Sequence, residues 1–157
     1  MSLLAWTCCG SYIYRMKDSW ASNPAVRRVM QGNRSRDTRP ELAVRTIVHA
    51  RGLRYVVHGR PIPELRRTAD LMFPRMKIAV FIDGCFWHGC PEHHKTPKAN
   101  ATYWSAKVER NKHRDLDTTV RLSTAGWSVL RFWSHEDPVY VAEKIQQAVL
   151  RAREGGH

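Results

Sequence analysis

The apolar positions along the chain form short runs that predict strands. The run 78–82 (IAVFI) is apolar on both alternating faces, which is typical of a central strand covered by helices on both sides. Three further runs, bounded by turn-forming and charged residues, have the same strand-like composition: LRYVVH, ADLMF and WSVLRFW. We therefore predict four strands, of which the first three are consecutive.

The segments around these runs carry helix start and stop signals. The first predicted helix follows Thr38 as its N-cap and ends at Gly52. The second covers 100–122, and the third covers 138–151, directly after Asp137. The order helix, three strands, helix, strand, helix predicts an α/β sandwich around a small mixed sheet.

The composition is that of a single globular domain. The chain has 157 residues, of which 43% are hydrophobic and 10% aromatic, enough to bury one core. Residues 1–17 lack the basic start and the cleavage site of a signal peptide. We expect them to be either a disordered extension or the product of an upstream start codon, with the domain covering 18–157. The four cysteines are too few and too unevenly spread for a disulfide scaffold, which favours a cytoplasmic location.

The net charge of +12 points to a polyanionic partner. Nucleic acid and an anionic membrane are the two candidates. The longest apolar run is far too short to span a bilayer, and no strongly amphipathic basic helix argues for surface anchoring. We therefore expect a nucleic-acid partner and no membrane, the alternative being a basic surface that only keeps the protein soluble.

Two cysteines and several histidines have the spacing of a zinc site. Cys85 and Cys90 lie close together, His93 follows, and His135 stands at the end of the strand WSVLRFW. Thiolates and imidazoles are the ligands that tetrahedral zinc prefers. His94 is an alternative to His93, and coincidental packing of the four residues is the alternative to a metal site.

Two aspartates at strand ends predict a second metal site. Asp70 opens one strand and Asp83 ends the next, so a hairpin would bring them and the backbone carbonyl of Ile82 to one end of the sheet, where Mg²⁺ could bind. His88 could take a proton from the attacking water there, oriented by Asp115 on the long helix. The alternatives are that the aspartates only form turns and that His88 binds the zinc instead.

Large aromatic residues near these sites suggest insertion between bases. Phe86 and Trp87 are adjacent, and Tyr103 and Trp104 begin the long helix among several lysines. Rings interleaved with cations suit unstacking of base steps beside bound phosphates. Packing in the core is the alternative for each ring.

Five segments resemble, in order and spacing, the very short patch repair DNA mismatch endonuclease family: RPELAVR, ADLMFP, VFIDGCFWHGCPEHH, PKANATYWSAKVERNKHRD and GWSVLRFWSHED. The likeness runs from about residue 19 to the last helix. It implies a restriction endonuclease-like three-layer α/β sandwich with a small mixed central sheet and a structural zinc. It also implies Mg²⁺-dependent nicking of duplex DNA 5′ to the thymine of a T:G mismatch, which arises when 5-methylcytosine deaminates, as the first step of very short patch repair.

The resemblance also assigns roles to individual residues. Asp70 becomes the catalytic metal ligand with the Ile82 carbonyl beside it, and Glu41 holds metal-bound water. His88 becomes the general base, supported by Asp115. The intercalating wedge would consist of Phe86, Trp87 and Trp104, and the zinc ligands would be Cys85, Cys90, His93 and His135.

The chain departs from the best-studied members of that family. They carry histidine where Asp83 stands, and cysteine at two of the zinc positions that are histidine here. We therefore expect Asp83 to be an extra metal ligand rather than a proton carrier. We further expect a monomer associated with the nucleoid, while the bases flanking the mismatch and any mismatch-repair protein partner stay open. Two other functions fit the residues: a restriction-type endonuclease that cuts a matched site, and a zinc-stabilised DNA-binding module without catalysis.

Overall fold

The computed structural model describes residues 36–98 and 100–155, so the expected extension 1–17 lies outside the described residues. The elements within these ranges are helix α1 (Arg39–Ala50), strands β1 (Val56–Gly59), β2 (Ala69–Phe73) and β3 (Ile78–Asp83), helix α2 (Ala101–Thr124), strand β4 (Ser128–Trp133) and helix α3 (Pro138–Glu154). Their order is the predicted one. A short 3₁₀ turn joins β2 to β3. Among these helices, none is both long and apolar enough to cross a bilayer.

The four strands form one mixed sheet in the order β1-β2-β3-β4. Strands β1, β2 and β3 pair antiparallel, with Leu71 opposite Val80, whereas β3 and β4 pair parallel, with Ile82 opposite Phe132. A parallel connection needs a crossover, and α2 supplies it between β3 and β4. The carboxyl ends of β3 and β4 therefore lie side by side, next to the start of β2.

The sheet carries a buried cluster on each face. The alternating side chains of β3 divide between them, with Ile78 and Val80 in the first cluster and Ala79 and Phe81 in the second. Helices α1 and α3 contribute to the first cluster, and α2 contributes Leu122 to the second. The predicted small mixed sheet with helices around it is thus the framework that holds the strand ends in place.

The element boundaries differ from the prediction at several ends. Strand β1 begins at Val56 instead of residue 53, because Leu53 is buried and its N–H bonds to the carbonyl of Val48 at the end of α1. Helices α2 and α3 each continue a few residues beyond their predicted ends. Gly126 stops α2 as expected, with a positive φ of 78° that favours glycine.

Candidate active site and metal centre

Asp70 and the end of β3 meet at one end of the sheet. The backbone ladder between β2 and β3 ends where Leu71 faces Val80. Beyond that pair, the N–H of Ile82 donates to the carboxylate of Asp70 at 2.7 Å. The Asp70 side chain thus supplies an acceptor where the ladder has ended. The structure brings Asp70 and the Ile82–Asp83 peptide together, as the hairpin argument predicted.

The pKa of Asp70 is raised from 3.8 to about 6. Burial is the main cause, and the negative charges of Glu41 and Asp83 add to it, while the hydrogen bond from Ile82 and the charge of Arg45 act in the opposite direction. Near neutral pH, Asp70 is therefore an ionised carboxylate in a partly buried place with too little positive charge around it. A bound cation would relieve this repulsion, so the surroundings of Asp70 are suitable for a Mg²⁺ site.

Glu41 lies beside this end of the sheet, in the first turn of α1, and is 4% exposed. Its carboxylate accepts hydrogen bonds from the backbone N–H of Asp37 at 3.0 Å, the hydroxyl of Thr38 at 2.9 Å and the guanidinium of Arg45 at 3.0 Å. Thr38 occupies the predicted N-cap position but directs its hydroxyl to Glu41. The orientation of Glu41 is therefore fixed by three donors.

Arg45 is a buried residue of this site that the sequence reasoning missed. It is 7% exposed, pairs with Asp37 and Glu41, and lies 3.3 Å from Nε2 of His58. The hydrogen bond from Arg45 is the main cause that lowers the pKa of Asp37. The available signal was the four-residue spacing of Glu41 and Arg45, which places both on one face of a helix.

His88 forms a hydrogen-bonded pair with Asp115. Its Nδ1 lies 2.5 Å from a carboxylate oxygen of Asp115 and 3.5 Å from one of Asp83. Burial raises the pKa of Asp115, but the hydrogen bond from His88 and the charge of Arg131 outweigh it and lower that pKa below its usual value. Because an ionised carboxylate only accepts, Nδ1 of His88 carries the proton, and Nε2 is free of it when the ring is neutral.

Arg131 joins the two carboxylates that face His88. Its Nε and one terminal nitrogen each donate to a different oxygen of Asp83 at 2.7 Å, and that terminal nitrogen also lies 3.2 Å from Asp115. Both oxygens of Asp83 thus accept charge-assisted hydrogen bonds, which makes Asp83 a weaker candidate metal ligand than Asp70. The sequence reasoning missed Arg131, whose signal was that it is the one charged residue of strand β4.

A cavity of about 350 Å³ opens beside these groups. Its charged and titratable lining residues are Asp83, His88, Lys112, Asp115 and Arg131. The loop after β3 reaches this cavity by lying close against α2. Gly89 has a φ of 65°, and a Cβ there would lie 2.7 Å from the side chain of Val108, so only glycine allows this approach.

The four predicted zinc ligands lie together beside the same loop. One ligand atom from each of Cys85, Cys90, His93 and His135 lies within 4.8 Å of the others. The sulfur of Cys85 is 3.1 Å from Nδ1 of His135, and that of Cys90 is 3.9 Å from His93 and 3.8 Å from His135. Tetrahedral zinc would place sulfur and nitrogen ligands about 3.6 Å apart. Two free thiols and two imidazoles at these separations fit that metal.

His94, the alternative ligand, points elsewhere. Its Nδ1 lies 3.2 Å from the backbone carbonyl of Phe86, to which it donates, and its ring packs near the ring of Phe86. The geometry therefore favours His93 as the fourth member of the cluster.

The predicted wedge residues pack on one another. The ring centroid of Phe86 is 5.0 Å from that of Trp87 and 5.4 Å from that of Trp104, and Lys107 places its ammonium 5.0 Å above the Trp87 ring. Phe86 and Trp87 are partly exposed, whereas Trp104 is only 6% exposed and Tyr103 packs edge-on against it. In the DNA-free protein Trp104 thus lies behind the two rings that can reach a partner.

Comparison with known proteins gives a consistent set of similarities. A family model described as DNA mismatch endonuclease Vsr matches residues 21–95. The chain is 44% identical over 117 residues to the type II nicking enzyme V.NaeI of Lentzea aerocolonigenes, covering 73% of this chain and 70% of that protein. It is 43% identical over 133 residues to the type II nicking enzyme V.NmeDIP of Neisseria meningitidis serogroup C, covering 78% and 84%. It is 30% identical over 128 residues to the DNA mismatch endonuclease Vsr of Escherichia coli strain K12, covering 79% and 77%.

Proposed function

Because this chain belongs to the Vsr DNA mismatch endonuclease family and is therefore a DNA endonuclease, we propose that it nicks one strand of duplex DNA 5′ to the thymine of a T:G mismatch. Such mismatches arise when 5-methylcytosine deaminates, and the nick would start very short patch repair. The observation that carries the proposal is one loop that holds both partly exposed rings, Phe86 and Trp87, and the His88 that pairs with Asp115 at 2.5 Å.

The fold proposed for this function is the restriction endonuclease-like three-layer sandwich. Its support is the pair of buried clusters, one on each face of the mixed sheet, with helices contributing to both. In this arrangement a DNA backbone would approach the end of the sheet where Asp70 and Asp83 lie. The net charge of +12 favours that approach.

Asp70 and the backbone carbonyl of Ile82 would hold Mg²⁺. The bound ion would polarise the scissile phosphate and lower the pKa of the attacking water. Burial and the neighbouring carboxylates keep Asp70 in need of a cation, which supports this assignment. Glu41, held by its three donors, would orient a water molecule at this position.

His88 would act as the general base. With Nδ1–H donated to Asp115, Nε2 of His88 is the atom that accepts the proton of the attacking water. Asp115 keeps this tautomer and stabilises the imidazolium that forms.

The zinc cluster and α2 would keep the loop in one place. Cys85 and Cys90 anchor the loop to His135 at the end of β4, and Asn111 on α2 donates to the carbonyl of Trp87 at 2.7 Å. A loop fixed at these points holds its rings at a constant distance from His88. Unstacking a base step costs a few kcal/mol, and less at a mismatch, so insertion of Phe86 and Trp87 would select mismatched DNA.

The decisive experiment incubates the protein with a labelled T:G duplex or its T:A control, with Mg²⁺ or with EDTA, and resolves the products on a denaturing gel. We expect a single nick in the thymine strand of the T:G duplex that needs Mg²⁺. Cleavage of both strands of the T:A duplex would indicate a restriction-type enzyme instead. Binding without any cleavage would indicate a DNA-binding module.

His88→Gln is expected to lower the single-turnover nicking rate by about 10²–10³-fold, because the attacking water loses its proton acceptor. The affinity for the T:G duplex should stay within about twofold, since the general base adds little to ground-state binding. His49→Gln, which changes an exposed histidine at the end of α1, is the matched control. An unchanged rate in His88→Gln would reject the assignment.

Trp87→Ala is expected to reduce the preference for T:G over T:A duplexes by about tenfold, because each stacked aromatic ring is worth about 1–3 kcal/mol. Tyr140→Ala, which removes an aromatic residue that is 47% exposed on α3, should leave that preference unchanged. Titration of both variants with labelled duplexes measures the effect. An equal loss of affinity for the two duplexes would argue against insertion of this ring.

A further inference from the structure

We propose that Arg131 is a positioning residue of the nicking reaction, which holds Asp83 and Asp115 together and through them fixes the ring of His88. The proposal rests on the function proposed for this same site. Arg131 lies on β4, Asp83 at the end of β3 and Asp115 on α2, so one guanidinium joins three elements around the base.

Among the described residues, the polar contacts of Arg131 all go to Asp83 and Asp115. Two of its nitrogens donate to the two oxygens of Asp83 at 2.7 Å each, a fork that matches a carboxylate in both planarity and spacing. One of these two nitrogens also lies 3.2 Å from the carboxylate of Asp115, and the third nitrogen donates to the backbone carbonyl of Asp115 at 3.4 Å. His88 then lies against both carboxylates, at 2.5 Å from Asp115 and 3.5 Å from Asp83.

The charges explain why a cation is needed at this place. The side chains of Asp83 and Asp115 are only 12% and 19% exposed, and two such carboxylates repel each other without a cation between them. Arg131 supplies that cation and packs over the ring of Phe81 at 4.9 Å. Lys112 also lines the cavity, but its ammonium pairs with Glu109 at 2.9 Å and does not take this role.

The same contacts argue against a direct contact between Arg131 and DNA. A guanidinium has five N–H groups, and three of those of Arg131, one on each nitrogen, donate to Asp83 and to the backbone carbonyl of Asp115, while the Asp115 carboxylate lies 3.2 Å away. Little donor capacity is left for a phosphate. Arg131 therefore acts by fixing its neighbours, and a lysine in its place could not bind both oxygens of Asp83 in the same plane.

The first test compares rate with affinity. Arg131→Met is expected to lower the single-turnover nicking rate on the T:G duplex by about 10²-fold, because a base displaced by about 1 Å loses that much, with the DNA dissociation constant changed less than about twofold. Arg131→Lys should recover only part of the rate. Arg121→Met, which removes an exposed arginine paired with Asp117 on α2, is the matched control and should nick normally. A large loss of DNA affinity in Arg131→Met at an unchanged rate would overturn the proposal.

The second test asks whether Arg131 acts through His88. When His88→Gln is already present, Arg131→Met should lower the rate by less than about threefold, because residues that act as a unit are not additive. Two full and independent losses of rate would contradict the proposal.

A double variant shows whether loss of activity comes from unfolding. Asp83→Asn combined with Arg131→Met removes both partners of the buried ion pair, so neither charge is left buried and unpaired. This double variant should melt near the wild type and still nick slowly, and a wild-type rate in it would count against Arg131.

The third test does not depend on nicking. Long-range ¹H–¹⁵N NMR of the neutral His88 ring should show a single Nδ1–H tautomer in the wild type and in Arg121→Met, and a mixture of tautomers in Arg131→Met. A single tautomer in Arg131→Met would overturn the positioning role even in an active enzyme. Absence of T:G nicking by the wild type would instead reject the proposed function, so the two failures are distinguishable.

Discussion

Asp70→Asn is expected to lower the nicking rate by at least about 10⁴-fold, since the proposed catalytic metal would supply both polarisation of the phosphate and a more acidic water. The asparagine oxygen can still accept the N–H of Ile82, which donates to Asp70 at 2.7 Å, so the local structure should be retained. What is lost is the negative charge that would hold the proposed cation. Single-turnover assays with Mg²⁺ measure the rate, and nicking within tenfold of the wild type would reject Asp70 as a metal ligand.

The same substitution is expected to stabilise the Mg²⁺-free protein at neutral pH. The pKa of Asp70 is raised from 3.8 to about 6 in the folded protein, so its protonated form favours folding and this contribution is lost as the pH rises between those values. Above the folded pKa the ionised carboxylate costs up to about 3 kcal/mol, which asparagine avoids. Urea unfolding should show this gain at about pH 7.5 and roughly half of it at about pH 5.

Asp117→Asn provides the control for the stability measurement. Asp117 lies on the exposed face of α2, where it pairs with Arg121 at 2.8 Å. A surface ion pair of this kind contributes less than about 1 kcal/mol, so its loss should not stabilise the protein. Equal unfolding free energies for the wild type and Asp70→Asn at neutral pH would contradict the conclusion that burial and the neighbouring carboxylates disfavour the ionised form of Asp70.

Cys90→Ala is expected to remove the bound zinc, to destabilise the protein by several kcal/mol and to lower nicking by at least about 10²-fold. Cys90 is 1% exposed, and its thiol lies 3.9 Å from His93 and 3.8 Å from His135, so Cys90→Ala removes one of the four clustered ligands. Elemental analysis of the wild type should give about one zinc per chain. Thermal unfolding and nicking assays then compare the variant with the wild type.

A second cysteine variant separates zinc loss from a general effect of removing a thiol. Cys9→Ala changes a cysteine that the zinc prediction leaves out, and it should keep the metal, the melting temperature and the activity. A wild-type protein that is purified without zinc, yet folded and active, would contradict a structural metal.

Local patterns predicted the parts of the molecule whose information is contiguous in the chain. The strand at 78–82 and the helix before Gly126 were both recognisable from short windows, and the structure has them. Three of the four clustered sulfur and nitrogen ligands also lie within one loop. The fourth ligand, His135, joins them because β4 pairs parallel with β3. This pairing places the end of β4 next to the start of that loop, where Asp83 faces Trp133.

The missed residues depend on strand register and on helix packing, which no short window contains. Arg131 reaches Asp83 only because it stands opposite Phe81 in the parallel ladder, so a different register would have placed it elsewhere. Arg45 meets His58 only after β1 has turned back beside α1. The late start of β1 has the same origin, since Leu53 is buried in the core instead of beginning the strand.

The attachment of the loop after β3 limits how this nuclease can change during evolution. Asn111 donates to the carbonyl of Trp87, and Gly89 has no room for a side chain against Val108. An inserted or deleted residue in this loop would therefore displace the Trp87 ring and the His88 imidazole together. In the proposed mechanism, this loop would therefore set the number of nucleotides between the recognised base and the broken bond. A cut one nucleotide further along would then require a change in α2 as well as in the loop, because Asn111 and Val108 of α2 fix the loop's position.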